Sequence, residues 1–193
     1  MPSPTSKPQR ADARRNVRAI LDAAVEVFRG DPSASMTAIA AAAGVDRITV
    51  YGHFKNRTEL VEAVLEEAMH RADAVLDEVE LSGDPAEALA ALLDTSWRVV
   101  EQFGTVLHAA QRELPAECIR SAHDRVIRRL TGLIDRGRNE GAFRADLPTD
   151  WLVTVVLSVI HGASGEVETG RLDPDDVGRY LVMTLTSVVR APA

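Results

Sequence analysis

Cys118 is the only cysteine in the chain of 193 residues, so no disulfide can close within it, and a reducing compartment is the natural setting. Aromatic residues make up 4%, and no run of β-branched residues alternates with polar ones, which leaves little material for sheet. Membrane-spanning length is missing too. The most apolar stretch, Trp151 to Ile160, is about half the roughly 20 residues a span needs, and Thr154 and Ser158 interrupt it. No apolar segment follows the N-terminal charges, which argues against a secretion signal. A soluble, cytoplasmic protein with no membrane partner is expected.

Signatures of catalysis and metal binding are equally scarce. The chain has no Walker loop, no G-x-G-x-x-G and no H-E-x-x-H. Gly162-Ala163-Ser164-Gly165 is not a nucleophile elbow, because position 166 is Glu rather than Gly and no strand precedes it. His70, His108, His123 and His161 lack paired ligand spacing, and Cys118 stands five residues from His123. Isolated histidines are more often surface or satisfied core groups. No catalytic residue, metal ligand or cofactor is therefore expected; the alternative readings are a metal-responsive sensor and, behind it, a helical enzyme.

Alanine, leucine, glutamate and arginine are plentiful, a balance that favours helices over sheets. Hydrophobics at 46% and charged residues at 26% are ordinary for a globular protein, and the length allows one to two domains with a buried core. The formal net charge of −7 is unevenly spread. Residues 1–60 hold nine Lys/Arg and six Asp/Glu, whereas residues 61–193 hold thirteen and twenty-three. A basic N-terminal part on an acidic remainder suits a chain that presents one end to phosphate. A simple DNA-compacting protein would be basic throughout.

Apolar stripes at helical spacing run along most of the chain. Residues 1–9, with three prolines, read as a disordered tail. A first helix is expected from about Ala11 to Arg29, its start carrying Arg10, Arg14, Arg15 and Arg18, which either touch a DNA backbone or form an ordinary solvated helix end. After the segment at 35–60, a long helix should reach about Leu81. Others are expected to roughly Gly104, from Val106 to Leu114, from Glu117 to Gly137, from Trp151 to near Gly165, and from Asp173-Pro174 to Val189. Gly141 to Pro148 reads as loop. The fold class is all-α, with about nine helices.

Residues 35–60, SMTAIAAAAGVDRITVYGHFKNRTEL, carry the most information. A short helix, Thr37 to Ala43, breaks at Gly44. Asp46 is placed to cap a second, Arg47 to about Gly52. Asn56 begins the long third, with Glu59 completing a capping box. Two short helices joined by a glycine-containing turn, with Ile39, Ala40, Ala43, Val45, Ile48, Val50 and Phe54 facing inward, describe a helix-turn-helix. Such a unit places its second helix in the DNA major groove. Ser35 reads first as a cap and second as a phosphate donor. Arg47 opens the second helix, where it can give two parallel bonds to a guanine edge or instead pair with Asp46 or a phosphate. Ile48 either touches a thymine methyl or folds back into the core.

In that register Ser35, Met36, Ile39, Ala40, Gly44, Val45, Thr49, Val50, Tyr51, His53 and Phe54 closely resemble the DNA-binding segment of the TetR (tetracycline-repressor-like) family of transcriptional regulators. The resemblance is specific over roughly residues 14–65 and architectural beyond them. It implies a DNA-binding regulator, by family habit a repressor, released from a pseudo-palindromic double-stranded operator by a mainly apolar small molecule. It also implies DNA contacts at Thr49 and Tyr51 and phosphate contacts at His53 and Arg57. Ser35, Asp46, Arg47, Ile48 and Lys55 complete the expected DNA-binding set. Gly52 stands where the family usually has a larger side chain, and Ile48 where it often has glycine, so no operator sequence follows from a relative.

The same resemblance places an effector pocket among the middle helices, about Pro85 to Gly137. Trp97, Phe103, Leu107 and Gln111 fall on neighbouring turns there, with His108 or Arg112 as an orienting polar group; plain core is the competing reading. Relatives pair their last two helices, here about 149–165 and 174–190, into the bundle of a homodimer. The domain expectation is a tail at 1–9, a helix-turn-helix DNA-binding domain at 10–60, and an effector-binding and dimerisation domain at 61–193.

Overall fold

A computed structural model describes the backbone of residues 6–192 and the side chains from Asp12 onward. Of the expected tail, Met1 to Thr5 lie outside the described residues, and residues 6–9 belong to the first helix. The described residues form nine α-helices: α1 (Ser6–Gly30), α2 (Met36–Ala42), α3 (Arg47–His53), α4 (Arg57–Leu76), α5 (Pro85–Glu113), α6 (Ala116–Ala122), α7 (Asp124–Asn139), α8 (Thr149–Glu168) and α9 (Pro174–Val189). No strand occurs among them; Phe143 and Arg190 form one isolated antiparallel bridge. The all-α expectation holds. Two compact units emerge, one of residues up to Met69 with Thr105–Arg120, the other of His70–Gly104 with Ser121 onward.

In the first unit, α1 buries Ile20, Ala24, Val25 and Phe28, and α2 buries Met36, Ile39 and Ala40. These positions recur every three to four residues, as one helix face requires. The Ser35 hydroxyl caps α2 by accepting the Ala38 N–H at 3.2 Å. At the other end Gly44, with φ at +67°, lets the Val45 N–H return to the Ala40 carbonyl at 3.1 Å and the Gly44 N–H to Ala41 at 3.2 Å. This is a Schellman closure, which needs a left-handed residue at that point.

Two caps differ from expectation. Asp46 caps α3 only through its backbone carbonyl, which accepts Thr49 N–H at 2.9 Å; its exposed carboxylate makes no capping bond. Asn56 does accept the Glu59 N–H at 2.9 Å. The reciprocal bond, however, runs from the Lys55 N–H to Glu59 Oε2 at 2.8 Å, so the box closes one residue earlier in the chain.

From α4 onward the helix boundaries are corrected more strongly. The long helix ends at Leu76 rather than Leu81. α5 is one helix of 29 residues, where two separated near Gly104 were expected. A Cβ on Gly104 would lie 2.6 Å from Ser164 Oγ of α8, so this glycine makes room for a neighbour and does not stop its own helix. Conversely, the helix expected from Glu117 to Gly137 is split into α6 and α7. The break at His123 turns its imidazole inward, edge-on to His161, with ring centroids 5.4 Å apart.

Farther along, α7 buries Leu130, Leu133, Ile134 and Gly137, while Arg125 and Arg129 pair with Asp73 and Asp77. α8 and α9 bury Leu152, Val156 and Ile160, and Val177, Leu181 and Leu185. Among the described residues no helix is long and apolar enough to cross a membrane.

The buried Phe143 ring occupies the space that a Cβ on Gly137 would need. Gly137→Ala should therefore destabilise the protein by about 1–3 kcal/mol through overpacking, although alanine favours the helix by roughly 1 kcal/mol. A thermal melt checks this, and an unchanged or raised midpoint contradicts it.

Candidate nucleic-acid interface

α3 has one side in the core and one in solvent. Val50 is fully buried, and Phe54 just past the helix end is buried as well. Thr49 and His53 are half-buried, whereas Arg47, Ile48, Tyr51 and Gly52 are exposed. The guanidinium carbon of Arg47 lies 5.1 Å from the centre of the Tyr51 ring, one turn on; the cation stacks on the aromatic face. Ile48 departs from the inward position expected of it: at 85% exposure it is the most exposed large hydrophobic residue described.

Around α3, the Lys55 ammonium stands 3.6 Å from Glu59, with its side chain 87% exposed. Ser35 and Asp46 are exposed beside the short helices. Of the arginines at the start of α1, Arg15 pairs with Asp12, and Arg18 reaches Asp22 at 3.5 Å and Glu67 at 3.6 Å. The side chain of Arg10 lies outside the described residues.

Arg57 takes a different place from the phosphate contact expected of it. Its guanidinium turns inward, pairs with Glu113 near the end of α5, and donates to the carbonyls of Ala34 and, at 2.8 Å, Pro32. It also lies 5.2 Å from the centre of the Phe28 ring. With the side chain only 24% exposed, the donors are committed to the protein, and Arg57 acts on α2 through the loop that enters it. Glu113 gave no local signal, being 56 residues away in the chain. In the same loop the hydroxyl and amide of Ser33 donate to Asp31 at 2.6 and 2.8 Å. Those bonds, aided by the charge of Arg57, hold the Asp31 carboxyl below its usual range.

The residues expected to line an effector pocket are spread between core and surface. Trp97, Phe103 and Leu107 are buried, His108 is half-buried, and Gln111 and Arg112 are exposed. Trp97 packs on α9, where its Cδ1 would touch a Cβ on Gly178 at 3.0 Å. Its indole is thus part of the second unit's core.

Residues 20–64 match the family described as bacterial regulatory proteins, tetR family. Over that segment the chain is similar to TetR-family regulators. The HTH-type transcriptional repressor LfrR of Mycolicibacterium smegmatis is 38% identical over 74 residues, which are 38% of this chain and 39% of that repressor. The chain thus spans less than half the length of the curated relatives it matches. Among solved structures, the fatty acid degradation regulator FadR from Bacillus halodurans has a TM-score of 0.72 at 21% identity, over 90% of this chain and 99% of that one. LfrR in complex with proflavine gives 0.72 at 23% identity, over 91% and 97%. At such identities the likeness concerns the fold alone, and it covers most of the chain.

Arg57→Ala should cost roughly 1–3 kcal/mol, because it leaves a half-buried carboxylate and two carbonyls without their donor. Lys55→Ala, at an exposed site, should stay within about 0.5 kcal/mol. Denaturant titration compares the two, and an Arg57→Ala protein as stable as the parent rules out the inward role.

Proposed function

We propose that the chain is a dimeric, ligand-responsive transcriptional regulator, a repressor in kind, that reads double-stranded DNA with α3. One observation carries this reading: α3 buries Val50 yet holds Arg47, Ile48 and Tyr51 in solvent, on a capped helix-turn-helix inside the segment that matches the TetR family. Arg47 is assigned to a guanine edge. Thr49, Tyr51, His53 and Lys55 are assigned to the flanking backbone, with Ser35 and Asp46 at the margins. The repressor character follows LfrR, which bears that name.

A second copy of the chain is the partner proposed for α8 and α9. Beyond their buried stripes, Trp151 and Val159 of α8 and Tyr180 and Met183 of α9 are exposed. Large apolar groups on both sides of a helix pair suit a bundle completed by another subunit. A two-fold dimer calls for a pseudo-palindromic operator, its half-sites about one helical turn apart or a multiple of it. The effector is proposed to be a mainly apolar small molecule bound among the middle helices, a reading supported by the proflavine complex of LfrR. The chain passes between its two compact units inside α4, α5 and α6, and α4, which begins beside the helix-turn-helix, is proposed as the route of coupling. Linkage then requires DNA to weaken effector binding as much as effector weakens DNA binding.

Selection of bound duplexes from a random-sequence pool tests the central claim: an enriched two-fold sequence is expected, and none rejects it. On that sequence Arg47→Ala should cost about 1–3 kcal/mol and relax preference at one base pair per half-site. Lys55→Ala should weaken all DNA alike and lower the salt slope by about one. Light scattering should find twice the 20.9 kDa of one chain, and Met183→Glu should shift the protein towards monomer and weaken operator binding. A parent protein of single-chain mass at micromolar concentration removes the dimer. For the effector, lipophilic compounds screened by thermal shift are titrated with and without operator; equal affinities in both titrations reject the switch.

A further inference from the structure

Ile48 is out of place by the ordinary rules of folding. The other apolar residues of the motif, Ile39, Ala40, Val45, Val50 and Phe54, are buried or half-buried, while Ile48 is 85% exposed. A β-branched residue also forms helix less readily than alanine or leucine. Its placement at the second position of α3 therefore adds little to stability.

Gly52 follows one turn later on the same flank, since residues four apart are neighbours on a helix. A Cβ there would meet nothing within 4 Å, and Gly52 is not among the glycines with positive φ. Neither packing nor backbone conformation calls for glycine, although it weakens the helix by roughly 1 kcal/mol relative to alanine. The adjacent flank carries Arg47 stacked on Tyr51. The outer surface of α3 thus has a cationic and aromatic strip beside a strip made of one branched aliphatic side chain and bare backbone.

We infer that the Ile48–Gly52 strip seats against the base edges, Ile48 reading the C5-methyl group of a thymine and Gly52 allowing the helix close approach. The inference rests on the proposal that α3 enters the major groove. Among the base edges exposed there, thymine alone adds a methyl to the pattern of donors and acceptors. An isoleucine pressed on any other edge would strip water from polar groups and offer them no bond in return. Arg47 beside the strip favours a nucleic acid over an apolar protein surface. A glycine opposite the bases removes the atoms that would hold the backbone away.

The test uses the full-length protein and the duplex enriched from the random pool, with each dT replaced singly by dU. One thymine per half-site should prove sensitive, its dU version binding the parent protein about threefold to tenfold more weakly. Ile48→Ala should bind dT and dU duplexes alike at that position. Gly52→Ala should melt no lower than the parent yet bind the duplex severalfold more weakly. If every dU replacement is silent, or Ile48→Ala keeps the dU sensitivity, methyl reading is overturned while groove docking stands. If Gly52→Ala binds as tightly as the parent, close approach is overturned. Failure of the pool to yield any sequence defeats the groove-docking proposal itself, a result separable from both.

Discussion

The guanidinium of Arg57 ties together the parts of the first unit that cannot order themselves. α2 and α3 have seven residues each, far below the length at which an isolated helix is stable in water. Their orientation depends on the segment that delivers the chain from α1, and Arg57 holds that segment by the carbonyls of Pro32 and Ala34 while stacking on Phe28. Its charge is balanced by Glu113, which comes from the far end of α5. Arginine suits the task because its planar fork offers five donors and remains charged. The Asp31 carboxyl in the same segment has a lowered pKa. Its stabilisation is therefore present at neutral pH and fades as acid takes the pH down through that lowered value.

With α2 fixed in this way, α3 needs only one fully buried anchor. Val50 supplies it, and Phe54 closes the helix from beyond its end. Few core contacts leave most of α3's surface free, so its outer residues answer to a partner more than to the fold. Ile48 and Gly52 are the residues in which that division shows most clearly, because each is a poor choice for helix stability and neither is required by packing.

The second unit relies on close approach. Gly104 faces Ser164, Gly137 faces Phe143, and Gly178 faces Trp97. In each pair a missing Cβ lets a neighbouring group settle against the helix, and such interdigitation sets helix spacing. Its α8 and α9 nevertheless keep Trp151, Tyr180 and Met183 in solvent. Apolar surface buried in this unit and apolar surface left outside it lie on different faces of the same two helices.

Much of the fold was legible in the sequence because its signals are local. The Ser35 cap, the Gly44 turn and the stripes through Leu152, Val156, Ile160, Val177, Leu181 and Leu185 act over one to three helical turns, and each appears as expected. The helix-turn-helix register could be read for the same reason. Tertiary structure alone decided what depends on distant partners. It made Gly104 a contact instead of a helix end, broke the chain at His123 so that its ring could meet His161, and turned Arg57 inward to a carboxylate 56 residues away. It also put Ile48 outside, because an amphipathic pattern gives the direction of a side chain around its helix but not where the neighbouring helices stop covering it.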